Sequence, residues 1–208
     1  MVDAAQLARE LLRIEAVRLR PEAPFTWASG IESPIYTDNR VALAFPEVRT
    51  SIADGLTALA RASGDFDAVA GVATAGIPHA TLVADRLGLP LAYVRSSAKA
   101  HGRGNRIEGR LTPKQRVVVV EDLISTGGSS LDAVAALRDA GVVVVTTIAI
   151  FTYGFAAAED RFAEANCPLA TLTDYPTLIA EAEASGYVNA DHIETLKDWR
   201  TATSAALS

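Results

Sequence analysis

At 208 residues, half of them hydrophobic and about a fifth charged, the chain has the length and balance of one soluble domain, with core enough to need neither disulfides nor a structural metal. Cys167 is its single cysteine, so an internal disulfide is excluded, and no Cys/His cluster has zinc-ligand spacing. The net charge of −6 speaks against a nucleic-acid partner, which needs a basic footprint.

No apolar run approaches the roughly 18 residues that cross a bilayer, and the chain opens without a signal peptide. A cytoplasmic protein with no membrane partner is therefore expected. Charge is placed unevenly. Arg95, Lys99, Arg103, Arg106, Arg110, Lys114 and Arg116 face a single acid, Glu108, a local charge of +6. Such a segment inside an acidic protein suits one small anionic ligand; a solvated basic hairpin would look the same on charge alone.

In chain order, Asp3 is placed to cap a first helix that repeats Leu7, Leu11 and Ile14 at helical spacing. An irregular polar and aromatic stretch follows, Phe25-Thr26-Trp27-Ala28-Ser29-Gly30 and then Ser33-Pro34-Ile35-Tyr36-Thr37-Asp38-Asn39-Arg40. Pro46 opens a second helix with Val48, Ile52, Leu56 and Leu59 on one face. Strand signals then alternate with helix signals. Strands are predicted over 67–72, 91–94, 116–121 and 142–151, and helices over 78–87 and 129–140, the last closed by Gly141. Val117-Val118-Val119-Val120 reads as a strand buried on both faces. The alternation predicts an α/β fold, a mainly parallel sheet with helices on both sides. Beyond Ala157 the pattern is helical, with one weak strand near 169–172. The segment 96–108 has no hydrophobic period; a loop of that length inside a domain is functional or disordered, and its place after a strand suggests a mobile lid.

The chemistry concentrates where the third strand ends, at Glu121-Asp122-Leu123-Ile124-Ser125-Thr126-Gly127-Gly128-Ser129-Ser130. Two carboxylates precede a loop of hydroxyls and glycines that runs into a helix N-terminus. Unpaired N–H groups and the helix dipole there suit a phosphate, with Ser125, Thr126 and Ser129 as further donors. Glu121 and Asp122 suit the hydroxyls of a sugar on the same ligand. No Gly-Lys-Ser/Thr follows, so this is not a nucleotide P-loop, and GxGxxG is absent. An ordinary strand–turn–helix capped by Ser129 or Ser130 is the plainer alternative.

This stretch resembles the phosphoribosyl pyrophosphate motif of type I phosphoribosyltransferases. Three further segments resemble the orotate phosphoribosyltransferases among them. Tyr93-Val94-Arg95-Ser96-Ser97-Ala98-Lys99-Ala100-His101-Gly102 looks like their mobile catalytic loop, Phe25–Gly30 with Ser33–Tyr36 like their base-covering segment, and Gly71–Ala80 like their pyrophosphate-side loop. The resemblance runs in order over about residues 7–155.

It implies one type I phosphoribosyltransferase domain over 1–208, with a small N-terminal hood over about 1–45, a core over 46–155, a helical C-terminal part over 156–208 and a mobile lid loop. It implies Mg²⁺-dependent transfer of phosphoribosyl from phosphoribosyl pyrophosphate to orotate, giving orotidine 5′-phosphate and pyrophosphate in pyrimidine synthesis. By resemblance Glu121, Asp122, Leu123, Ile124, Ser125, Thr126, Gly127, Gly128 and Ser129 would hold the donor, with Ser125 also near orotate. Arg95, Lys99 and His101 would act on the pyrophosphate, the lid serving a neighbouring subunit in a homodimer. Mg²⁺ would ride on substrate phosphates, so no protein metal cage is expected.

The chain also departs from the pattern. Many members carry lysine where it has Ala28, Ala75 and Ser96, and an arginine of theirs that touches orotate has no match near Tyr153-Gly154. Arg40 and Arg103 are the candidates to pair with the orotate carboxylate. A transferase for another base, and a regulator that binds the sugar phosphate without catalysis, are the competing readings. His79 and His192 read as structural or surface residues, Trp27 as a base-stacking or packing residue, Trp199 and Tyr187 as packing residues, and Cys167 as a small buried hydrophobe.

Overall fold

The computed structural model of the protein describes residues 2–27, 30–97 and 106–207. It begins with α1 (Ala4–Arg13), whose first turn is capped by the Asp3 carboxylate, accepting from the Ala5 N–H at 3.1 Å. Leu7, Leu11 and Leu12 are buried along one stripe, and Ile14 is buried just past the helix end. A short strand β1 (Val17–Leu19) follows, and the stretch expected to be irregular contains three more, β2 (Phe25–Thr26), β3 (Glu32–Ser33) and β4 (Ile35–Thr37). β1 pairs with β4 and β2 with β3, two antiparallel ladders. Strands of two or three residues carry too little alternation to be read from sequence.

A 3₁₀ turn over Asn39–Ala44 leads to α2 (Pro46–Ala62), with Pro46 where a missing N–H has no consequence. The alternating part follows: β5 (Ala68–Val72), α3 (Gly76–Leu87), β6 (Leu91–Val94), β7 (Ile107–Glu108), β8 (Arg116–Ile124), α4 (Gly128–Asp139) and β9 (Val143–Thr152). The chain closes with α5 (Ala156–Glu164), β10 (Leu169–Asp174), α6 (Tyr175–Ala184) and α7 (Ile193–Leu207).

The central sheet has the order β10-β9-β8-β5-β6-β7, parallel throughout except for the antiparallel edge strand β7. The valines of β8 divide by parity. Val118 and Val120 join the core built with α1, α2, α3 and α6, while Val117 and Val119 join the one built with α4 and α5. All four are fully buried, which is why the run is apolar at every position. Full burial of each such side chain contributes about 1.5–3 kcal/mol.

Several boundaries differ from the sequence reading. β8 continues three residues past the expected 121, because β9 keeps pairing with it as far as Ile124↔Thr152. α3 starts at Gly76 rather than 78. Ile107 and Glu108, expected in the loop, form β7 against β6. The weak strand at 169–172 extends to Asp174 and is a full edge strand. Asp174 then caps α6 by accepting from Thr177 N–H at 2.8 Å. Trp199 packs as expected, but Tyr187 is 41% exposed. Cys167 and His79 are buried, and burial pushes the His79 pKa down to about 4, leaving its ring neutral. His192 lies near the surface, 3.0 Å from Glu22.

α3 crosses the end of β8 so closely that a Cβ on Gly76 would sit 2.5 Å from the Val120 carbonyl oxygen. Gly76→Ala is therefore expected to cost about 1–3 kcal/mol, read as a lowered urea midpoint. An unchanged midpoint would mean that helix and strand separate freely here.

Candidate active site

The strand order turns back on itself at one place. From β5 the chain moves outward through β6 to β7, then returns to the other side of β5 and continues outward through β8, β9 and β10. Parallel sheets bind ligands in the crevice at the carboxyl ends of the strands where the order reverses. Here that crevice lies between β5 and β8. Its walls are the turn Ala73-Thr74-Ala75, which includes a cis Ala73–Thr74 bond, and the loop Ser125-Thr126-Gly127.

β5 pairs with β8 only as far as Val120, so Glu121 to Ile124 have β9 alone as a ladder partner. Glu121 is buried and Asp122 half-buried. The Glu121 carboxylate accepts from the Asp122 N–H at 3.0 Å and from the Ser130 hydroxyl at 3.1 Å, both neutral donors. Burial raises its pKa well above the carboxylate range, and the neighbouring Asp122 charge raises it further. Burial also raises that of Asp122. Arg40 reaches Asp122 only through its field, because its guanidinium forks onto Asp38, with contacts of 2.7 and 2.9 Å. Arg40, a sequence candidate to pair with the orotate carboxylate, is thus engaged by Asp38 in this arrangement.

The helix after the loop has no side-chain cap. Its N-cap is Gly127, at φ +77, in the left-handed region that favours glycine. A Cβ there would also meet Phe162 at 2.9 Å. Ser130, a candidate cap, is drawn back to Glu121, and Ser129 is exposed. An ordinary serine cap is thus excluded, and the first-turn N–H groups of α4 remain open to an anion. Arg161 steadies the loop by donating to the Thr126 carbonyl at 3.1 Å. Leu123, Thr126 and Ser125 are half-buried, Ile124 is buried, and Gly128 is exposed at the start of the helix.

Two cavities flank this loop. One, of about 70 Å³, is lined by Val72, Ala73, Arg95, Ser96, Arg106, Ser129 and Asp132 among others. Arg95 lies 3.5 Å from Glu108, and the Arg106 Nε donates to the Arg95 carbonyl at 2.8 Å. Arg106 belongs to the basic segment, but nothing in its sequence setting marked it from its neighbours. The other cavity, of about 240 Å³, is lined by Thr26, Trp27, Tyr36, Thr37, Leu123, Ser125 and Tyr153. Ser125 touches this space from the loop side. Tyr153 was not expected there; it is buried, and its hydroxyl donates to the Thr37 hydroxyl at 3.0 Å. Trp27 both lines the cavity and packs, with its ring 5.2 Å from Tyr153 and its N–H donating to the Ile35 carbonyl at 3.0 Å. Lys99, His101 and Arg103 lie outside the described residues. Among the described residues, no group of three His, Cys, Asp or Glu side chains is placed to hold a metal ion.

An open helix N-terminus, a carboxylate pair at the end of a central strand and a parallel sheet reversing beside them define the type I phosphoribosyltransferase fold. The phosphoribosyl transferase domain family matches residues 47–175. An orotate phosphoribosyltransferase of Streptococcus gordonii is 54% identical over 201 residues, 96% of either chain. The crystal structure of orotate phosphoribosyltransferase from Aeropyrum pernix superimposes with a TM-score of 0.76 at 34% identity, covering 88% of this chain and 99% of its own. That of the Mycobacterium tuberculosis enzyme in complex with 5-phospho-α-D-ribosyl 1-diphosphate does so with a TM-score of 0.67 at 30% identity, over 85% of this chain and 98% of its own. The chain belongs to the orotate phosphoribosyltransferase family.

The raised Glu121 carboxyl predicts a pH-dependent effect. Its folded pKa lies above its ordinary 4.5, so above that pH the folded state keeps a proton that the unfolded chain releases, and stability falls as pH rises. Glu121→Gln should therefore raise Tm at pH 7–8, by roughly 2–4 °C per kcal/mol recovered. The gain should vanish near pH 4, and donor affinity should fall. A Tm gain that does not depend on pH would refute the assignment of charge burial here.

Proposed function

We propose that the chain catalyses transfer of the phosphoribosyl group from phosphoribosyl pyrophosphate to orotate, giving orotidine 5′-phosphate and pyrophosphate in pyrimidine synthesis. One observation carries this reading: the uncapped N-terminus of α4 follows, across a short loop, a strand end where Glu121 is buried and Asp122 half-buried, and among the described residues neither carboxylate forms an ion pair. A ligand that offers a phosphate to the first and sugar hydroxyls to the second satisfies both.

The loop Ser125 to Ser129 binds the 5′-phosphate through main-chain N–H groups and hydroxyls. Leu123 and Ile124 shape its approach, and Glu121 and Asp122 accept from the ribose hydroxyls. Arg95, with Lys99 and His101, attends the pyrophosphate. Orotate occupies the cavity of Thr26, Trp27, Tyr36, Thr37, Leu123, Ser125 and Tyr153, whose 240 Å³ suits a single ring. Its ring nitrogen attacks the anomeric carbon as the bond to pyrophosphate breaks, through an oxocarbenium-like transition state.

Binding and orientation therefore matter more than covalent chemistry. The hard oxygen donors of Glu121 and Asp122 fit Mg²⁺ held mainly by substrate phosphates and water. When bound, that ion supplies positive charge to the leaving group. Basic residues of the 96–108 segment close over the site and exclude water, which would otherwise hydrolyse the activated sugar. In the proposed homodimer this segment serves the partner subunit's site. The cytoplasm is the proposed location; no helix among the described residues is long and apolar enough to cross a membrane.

Steady-state assays with orotate, uracil, hypoxanthine and adenine, each with the donor and Mg²⁺, test the base. Turnover is expected with orotate, and turnover of hypoxanthine with none of orotate overturns the proposal. Lys99→Ala should lower kcat far more than it raises either KM, because its charge is needed most as pyrophosphate departs. Equal changes in kcat and KM would reduce Lys99 to a binding role.

A further inference from the structure

α7, the last helix, reaches two separate walls of the base cavity with two consecutive residues. The Arg200 guanidinium forks onto the end of β9, its Nε donating to the Tyr153 carbonyl at 2.9 Å and its Nη2 to the Gly154 carbonyl at 2.7 Å. Gly154 has φ +63, and a Cβ on it would lie 3.0 Å from Arg200 Nη2, so the guanidinium fills the side where any other residue would carry its side chain. Tyr153, so held, lines the cavity and donates to Thr37 across it.

Trp199 grips the opposite wall. Its indole N–H donates to the Glu32 carbonyl at 3.0 Å, and the Glu32 side chain accepts from the Thr26 hydroxyl at 2.6 Å. Its ring meets Trp27 edge-on at 5.7 Å and Tyr153 at 6.3 Å. Thr26, Trp27 and Tyr153 all line the cavity, and all three are tied to α7 directly or through Glu32. Among the described residues the phosphate loop has no direct tie to Trp199 or Arg200: its side-chain support, Arg161, comes from α5, whose first N–H, at Ala156, donates to the Ser204 hydroxyl further along α7.

We propose that Trp199 and Arg200 are positioning residues for the pyrimidine, fixing the separation of the hairpin carrying Thr26 and Trp27 from the turn carrying Tyr153. The C-terminal helix thus governs base affinity and leaves the sugar-phosphate half of the site alone. This rests on the cavity being the orotate site. An aromatic wall displaced by a fraction of an ångström loses the ring contacts that orient the attacking nitrogen.

The test uses conservative variants of the full chain. Trp199→Phe keeps an aromatic ring and removes the N–H that holds Glu32. Arg200→Lys keeps the charge and loses the planar fork. KM for orotate at saturating donor is expected to rise about fivefold to twentyfold in each, with KM for phosphoribosyl pyrophosphate unchanged. A helix that merely packs would instead give a lower Tm with both KM values at wild-type level, and that result overturns the proposal. So does an equal rise in both KM values. Thermal melts of both variants identify the folded one on which the split is read. Failure of the base assignment looks different: wild-type enzyme would then not turn over orotate at all.

Discussion

Among the described residues, a helix N-terminus without a side-chain cap sits beside two carboxylates without an ion-pair partner, and the rest of the molecule is arranged around that pair of unmet demands. α4 starts at a glycine cap with no side chain on its first-turn amides, and the Ser130 hydroxyl there donates instead to Glu121. Glu121 and Asp122 are held in a poorly solvated strand end, where ionisation is costly. Each group is costly alone. Side by side they suit a molecule that carries phosphate at one end and hydroxyl donors at the other. A site of this kind trades stability of the free protein for affinity toward the ligand.

The sheet makes this arrangement possible. Because β5 stops pairing at Val120 while β9 continues to Ile124, the end of β8 projects as a strand with one open edge. The approach of α3 through Gly76 brings a second helix start to the same crevice. The described part of the site is therefore built on strand ends and helix starts, and this suits a reaction whose demands are chiefly geometric.

The cavity of about 240 Å³ has a different origin. It is assembled from parts distant in sequence: the two N-terminal ladders, the ends of β8 and β9, and α7 behind them. Tyr153 is the hub, packed against Trp27, Phe151, Phe155, Tyr175 and Trp199. The described lining of the cavity contains no cation. Arg18 lies near it, its guanidinium 4.9 Å from the centre of the Tyr36 ring, stacked as a cation on an aromatic face. The cavity thus presents an aromatic and hydroxyl-lined wall.

By itself the sequence determined the alternation of strands and helices, the double-sided burial of Val117 to Val120, the first two helices with Asp3 and Pro46 at their starts, and the run of acids, hydroxyls and glycines at the end of β8. These are local signals: a hydrophobic period, a cap and a turn residue each act within a few residues along the chain. Only the tertiary structure decided that β8 extends to Ile124, that Gly127 rather than a serine caps α4, and that Arg40 is bound to Asp38. It also decided that Tyr153 lines the 240 Å³ cavity and that residues of α7 brace its walls from behind. The contact of Arg40 with Asp38 is local, but the cavity depends on partners more than a hundred positions apart, as Tyr153 with Thr37 or Trp199 with Glu32. Contacts of that range leave no period in the sequence, because folding alone brings their two ends together.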